Sequence, residues 1–160
     1  MIFGGIIMKI ISHRGNLKGP NLELENTIEY IDIALENSFD VEIDLWKVKN
    51  KFFLGHDKPL NEVSLEWLEN RKKNLWIHTK NFSAFESLLE INRSFIFFYY
   101  TIEPLVLVSN GKIWIHSPEK IVNPQNCIIP LLGKKEVKKH NLMNWFGVCT
   151  DYPLFFKKTI

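Results

Sequence analysis

Glu42 and Asp44, one residue apart in the stretch DVEIDLW, are the pair in this chain best placed to do chemistry. Alternate side chains on a β-strand share a face, so these two carboxylates project together while Val41, Ile43 and Leu45 point the other way. Like charges in a low-dielectric setting repel, and they persist side by side when a cation neutralises them or a proton is shared. A hard divalent cation with oxygen ligands fits such a pair best. A strand with one polar face at the margin of a sheet would show the same alternation.

The stretch KIISHRGN adds His13 and Arg14 at the point where a short apolar run stops. That run reads as a buried strand of a parallel sheet, and the C-terminal ends of such strands are where α/β folds bind ligands. A capped histidine beside a solvated arginine is the plain alternative. KFFLGHDKPL repeats the pattern, with His56 closing an apolar run between Gly55 and Asp57. Two histidines, an arginine and a carboxylate pair at strand ends suit metal-assisted phosphoryl chemistry. Arginine grips phosphate oxygens in a fork, a cation stabilises the charged transition state, and histidine titrates near neutrality.

These side chains need a sheet to hold them. Strands are read at KIISH, DVEIDLW, KFFLGH, NLWIHTK, SFIFFYY, LVLVSN, KIWIHS, NCIIPLL and WFGVCTD. Helices are expected after Asn26, which can cap with Glu29 three residues on, and which would bury Ile28, Ile31, Ala34 and Leu35. A second opens at Ser64, and a third at a Ser83–Glu86 capping box that buries Phe85, Leu88 and Leu89. Beyond residue 92 the gaps between strands are too short for full crossover helices, and KKEVKKHNL is the one helix candidate.

At 160 residues the chain is expected to be a single domain over 1–160. A net charge of +2, dispersed along the chain, argues against nucleic acid as a partner. No run is long enough to span a bilayer, so no stable membrane insertion is expected. MIFGGII lacks the features of a signal peptide, and Met8 is an alternative start. Cys127 and Cys149 lie in apolar runs and read as reduced, buried thiols, which points to the cytoplasm.

The ordered set His13-Arg14-Gly15, Glu25-Asn26-Thr27, Glu42-x-Asp44, Gly55-His56-Asp57 and the terminal Thr150-Asp151-Tyr152-Pro153 resembles the glycerophosphodiester phosphodiesterase family. The likeness is specific over the first 60 residues and at the C-terminal motif, and loose over 95–145. It implies a TIM-type (β/α) barrel of the phospholipase C-like phosphodiesterase superfamily, acting in lipid metabolism by metal-dependent hydrolysis of a small glycerophosphodiester-like or sugar or alkyl phosphodiester. Carried over, His13 and His56 are the acid and base. Arg14 and Lys80 contact the phosphate, and Glu42, Asp44 and Glu25 belong to the metal site. The ion expected is Mg²⁺ or Ca²⁺, with Mn²⁺ as the alternative. Asp151 supports the site from behind.

Two departures stand out. Family members carry a glutamate in the next strand, where this chain reads LWIHTK, so His78 takes that position and shares a face with Lys80. Imidazole binds cations but prefers borderline metals. The chain is also short, so the expected fold is a compressed barrel that lacks outer helices in its second half. There the Ser109–Lys112 turn, SNGK, would form a hairpin. Phe97, Phe98, Trp114 and Ile129 would then lie on an unprotected outside, and a homo-oligomer would cover them. His116 is placed to line the pocket or to pack structurally, and His140 reads as solvated. The rival functions are a phosphate-binding or scaffold protein that has lost turnover, and another hydrolase, a phosphomonoesterase or a lipid-directed phospholipase D-like enzyme, using the same groups.

Overall fold

Runs such as IIS, VEI and WIH are apolar on one face throughout, and in the computed structural model they become neighbouring strands of one curled sheet. The structure describes residues 8–91, 94–116, 123–137, 142 and 144–158. The strands are β1 Lys9–His13, β2 Asp40–Val48, β3 Lys51–Leu54, β4 Asn61–Val63, β5 Leu75–Thr79, β6 Ile96–Tyr99, β7 Leu105–Leu107, β8 Ile113–Ile115, β9 Cys127–Pro130 and β10 Gly147–Thr150. The helices are α1 Ile28–Glu36, α2 Leu65–Arg71, α3 Phe82–Ile91, α4 Lys134–Val137 and α5 Pro153–Phe156.

In space the strands run β6, β5, β2, β1, β10, β9, β8, with every neighbouring pair parallel. Antiparallel additions flank this run: β3 and β4 fold back on the outer half of β2, and β7 pairs with β8. The β7–β8 turn is the hairpin expected at SNGK. Gly111 sits at φ +81°, and Val108 and Lys112 close the turn with a 2.8 Å bond from the Val108 amide. The curl brings this turn to the opposite edge of the sheet. There the Ser109 amide donates to the Phe97 carbonyl at 2.9 Å, and its hydroxyl donates to Phe95 at 2.8 Å. The result is a mixed α/β fold with a barrel-like curled sheet and few helices, in line with the compressed barrel expected.

Period two divides the sheet into two faces. Outward residues of the first half, among them Val41, Ile43, Leu75 and Ile77, pack under Ile31 and Ala34 of α1, Trp67 and Leu68 of α2, and Leu88 of α3. Burying each such aliphatic side chain is worth about 1.5–3 kcal/mol, which is what holds these helices down. The second half has only the four-residue α4 and α5, and Phe156 of α5 covers Ile115, Ile129 and Val148. Inside the curl, Ile11, Trp76, Phe98, Trp114, Ile128 and Cys149 form a second core. The four residues expected on an unprotected outside are therefore buried within this chain: Phe97 under the first-half helices, Ile129 under α5, and Phe98 and Trp114 stacked 4.7 Å apart inside the curl. Curling gives each a partner, and the argument for a covering subunit falls.

Local corrections follow the same logic. Thr27, not Asn26, caps α1 by accepting from the Tyr30 amide. The third helix begins at Phe82, ahead of the expected capping box, because Asn81 accepts from the Ala84 amide, and Leu89 faces solvent. Only Lys134–Val137 of the KKEVKKHNL segment is described as helix, and His140 lies outside the described residues. Both cysteines are free and buried, as expected.

Candidate active site

Four inner-core residues are followed two positions on by a charged or titratable one at the C-terminal end of the strand, so Ile11 leads to His13, Trp76 to His78, Trp114 to His116 and Cys149 to Asp151. Parallel pairing then gathers these polar groups at one mouth, with His13 opposite Glu42 and Asp44 opposite His78 in register. Arg14 leaves β1 in the left-handed region, φ +55°, its amide tied to the Glu42 carbonyl at 2.9 Å. Gly15 follows at φ +90°, and a Cβ there would press on the Tyr30 ring and the α1 backbone. This reversal turns the guanidinium back over the sheet, where Nη1 lies 3.0 Å from Glu25 and Nε 2.9 Å from Asp44.

His13 Nδ1 donates to Asp151 Oδ1 at 2.8 Å, because a carboxylate can only accept, and this leaves Nε2 facing Glu42 at 3.9 Å. Burial disfavours the imidazolium, but the Asp151 hydrogen bond and the Glu42 charge outweigh it, so the His13 pKa is raised. Asn16 clamps the arrangement by donating to both Asp151 Oδ1 and Glu25 Oε1.

Glu42 and Asp44 point to the same face, as the spacing predicts, and both are buried. Around Asp44 stand His78 Nδ1 at 3.1 Å and Lys80 Nζ at 3.4 Å, besides Arg14. Burial works against the Asp44 anion, yet these three groups hold its carboxyl well below the usual carboxylate range. Glu42 moves the opposite way, pushed up by burial and then by the neighbouring Asp44 charge. Donor atoms of Glu42, Asp44 and His78 all lie within 4.8 Å of one another. Glu42 Oε2 is a buried acceptor without a hydrogen-bond partner among the described residues.

His78 is positioned from both sides: its ring stacks on Phe98 at 5.3 Å, and Nε2 donates to the Tyr100 carbonyl at 3.3 Å. Nδ1 is thereby aimed at Asp44. Tyr100 in turn stacks on His116 at 4.1 Å, so His116 joins an aromatic wall of the mouth.

The remaining sequence candidates are placed differently. Glu25 spends its carboxylate on Arg14 and Asn16 and lies outside the Glu42–Asp44–His78 group. His56 sits on the β3–β4 turn, not at the end of a parallel strand. The returning chain brings it to the level of Asp44, since the Gly55 amide donates to the Asp44 carbonyl at 3.2 Å. Its side chain is 45% exposed and pairs with Asp57 at 2.7 Å. Gly55 is required for that turn, because a Cβ would collide with the Lys58 carbonyl.

Sequence reasoning missed Asn26 and Asn16. Asn26, at φ +58°, donates to Asp44 Oδ2 and accepts from the Asp44 amide, both at 3.0 Å. The available signal was Thr27, which caps α1 and releases Asn26 for this duty. Asp40 was missed too. One step below Glu42 on the same face, it is buried against Lys9 at 2.6 Å, Asn74 at 2.9 Å and the Trp76 indole N–H at 3.0 Å.

A curled parallel sheet with a charged mouth above an apolar interior is barrel-like, and folds of that kind bind ligands at the strand C-termini. The fold is that of the glycerophosphodiester phosphodiesterases, as the sequence resemblance implied. The crystal structure of glycerophosphodiester phosphodiesterase from Agrobacterium tumefaciens superposes with a TM-score of 0.59 at 13% identity, over 95% of this chain and 100% of that one. A Galdieria sulphuraria protein provisionally described as a glycerophosphodiester phosphodiesterase matches with a TM-score of 0.59 at 14% identity, over 98% of each chain. No protein-family model matches the sequence, and no curated protein does.

Proposed function

We propose that this protein is a metal-dependent phosphodiester hydrolase acting on a glycerophosphodiester-like substrate. The observation that carries the reading is the convergence of donor atoms of buried Glu42 and Asp44 and of His78 within 4.8 Å of one another, beside His13, Arg14 and Lys80. Glu42 Oε2, buried with no hydrogen-bond partner among the described residues, is costly unless a cation takes it, so the donor set fits a divalent ion held by Glu42, Asp44 and His78. When bound, the ion would supply positive charge to phosphate oxygens and to the transition state.

The chain's own residues supply the rest. Lys80 and Arg14 are cationic groups for the phosphate, Arg14 being held in place by Glu25 and Asp44. The oxygen that attacks phosphorus belongs to water or to a neighbouring hydroxyl of the substrate. As it bonds, the P–O bond to the leaving alcohol breaks, one group takes the attacking proton and another protonates the leaving oxygen. His13 suits the acid: Asp151 fixes its tautomer, Nε2 faces the carboxylates, and the Asp151 hydrogen bond and the Glu42 charge raise its pKa, which favours the protonated form. His56, exposed at the rim, takes the base role. The rival reading, a phosphate-binding protein without turnover, draws on the pairing of His56 with Asp57 alone among its described contacts. A panel of phosphodiesters assayed with Mg²⁺, Ca²⁺ and Mn²⁺ decides between them, because release of alcohol is expected from the hydrolase and none from the binding protein.

A further inference from the structure

His13 and Arg14 are consecutive in the chain, yet their side chains are held by carboxylates from distant parts of it: Asp151, after β10, for His13, and Glu25, in the β1–α1 loop, for Arg14. Asn16 is the one side chain among the described residues that bonds to both holders. Its Nδ2 carries two protons, and it donates to Asp151 Oδ1 at 2.8 Å and to Glu25 Oε1 at 2.9 Å. The orientation of this amide is fixed. Oδ1 accepts from the Asn21 amide at 3.1 Å, so exchanging oxygen and nitrogen would set an acceptor against two carboxylates and a donor against an N–H. The backbone is pinned as well. The Asn16 amide donates to the His13 carbonyl at 3.0 Å, and its carbonyl accepts from the buried Ser12 hydroxyl at 2.8 Å. Asn21 in turn accepts from the Glu25 amide at 2.9 Å, which returns the loop to Arg14. Asn16 has no exposed surface, and hydrogen bonds to charged acceptors are strongest at such depth.

We infer that Asn16 is a positioning residue that makes the phosphate clamp and the acid one unit: it fixes the Glu25–Arg14 pair and the Asp151–His13 pair relative to each other, so that a phosphate seated on Arg14 meets His13 Nε2 at a set position. This rests on the phosphodiesterase reading and adds to it a residue that acts through others. A side chain present only to fill space would need no donor, and one present only to tie the loop would need a single acceptor. Two charged acceptors on one buried amide serve coupling instead. Proton transfer to a leaving oxygen tolerates little misplacement, since an error of about 1 Å costs about 10²-fold in rate.

The test compares wild type, Asn16→Ala, Glu25→Gln and the double variant Asn16→Ala/Glu25→Gln. It reads the NMR resonance of the His13 Nδ1 proton, the calorimetric Kd for inorganic phosphate, and kcat and KM for glycerophosphocholine. Glu25→Gln touches Arg14 and not His13, so it should shift the His13 resonance while Asn16 is present and leave it unmoved once Asn16 is gone. Asn16→Ala should weaken phosphate binding roughly two- to tenfold, the worth of one hydrogen bond. It should also lower kcat by about 10²-fold while KM rises, whereas Glu25→Gln acts mainly on KM. A Glu25→Gln shift that persists without Asn16 overturns the inference, as does an Asn16→Ala protein whose His13 resonance, phosphate Kd and kcat match wild type. Where Asn16→Ala does not fold, the two Nδ2 protons of Asn16 answer in its place: Glu25→Gln should move one and Asp151→Asn the other, and movement of neither overturns the inference. Transmission from Glu25 to His13 through Asn16, with no phosphate binding and no hydrolysis, upholds the coupling and refutes the phosphodiesterase reading instead.

Discussion

Replacing Asp151 by Asn keeps the oxygen that His13 Nδ1 and Asn16 Nδ2 both approach at 2.8 Å, and removes only the charge. Both side chains are largely buried, with 15% of His13 and 8% of Asp151 exposed, so little solvent screening intervenes. A hydrogen bond to a charged group is worth about 1.5–3 kcal/mol, against about 0.5–1.5 kcal/mol for a neutral one. The folded-state pKa of His13 is raised, so its contribution to stability is fully present below the unfolded value near 6.5 and is lost as pH rises through the folded value. Asp151→Asn keeps the hydrogen bond and loses its charge, so it is expected to cost about 1–1.5 kcal/mol at pH 5.5, the difference between the two classes, and less at pH 9. Urea unfolding at both pH values measures the two costs. NMR titration of the His13 ring should show its midpoint moving down in the variant. Equal destabilisation at both pH values, or an unmoved midpoint, would refute the coupling and remove the basis for His13 as the acid.

Asn26→Ala deletes both hydrogen bonds to Asp44 and leaves its buried amide unpaired. A loss of about 2–4 kcal/mol in chemical denaturation is expected, whereas Thr27→Ala should cost only the cap, about 1 kcal/mol. For turnover, His13→Ala should lower kcat by about 10²- to 10⁴-fold with the fold preserved by circular dichroism, and His56→Ala should do the same in steady-state assays if it is the base. His78→Glu restores a carboxylate to the donor group, so calorimetry should show Mg²⁺ and Ca²⁺ binding more tightly and Mn²⁺ losing its relative advantage. Identical metal affinities in wild type and variant would place His78 outside the coordination shell. Gly55→Ala, in a turn with no room for Cβ, should displace His56 and lower kcat while leaving binding of Mn²⁺ to Glu42 and Asp44 intact.

What the sequence settled by itself was local and periodic. Spacing of two put Glu42 and Asp44 on one face and His78 and Lys80 on another strand's matching face, because strand geometry allows nothing else. Short gaps after residue 92 excluded crossover helices, and Ser-Asn-Gly-Lys announced the hairpin, because Gly tolerates the positive φ it needs. Tertiary structure decided what each polar group meets. Glu25 goes to Arg14 instead of the donor group and Asn26 to Asp44 instead of the helix end, because long-range register sets those neighbours and no local spacing encodes it. His56 reaches the level of the site through an antiparallel return that a barrel pattern would not supply. Phe98 and Trp114, which a string of exposed-looking strands leaves uncovered, are buried by the curl of the sheet, since closing the edges through Ser109 turns one apolar face into an interior.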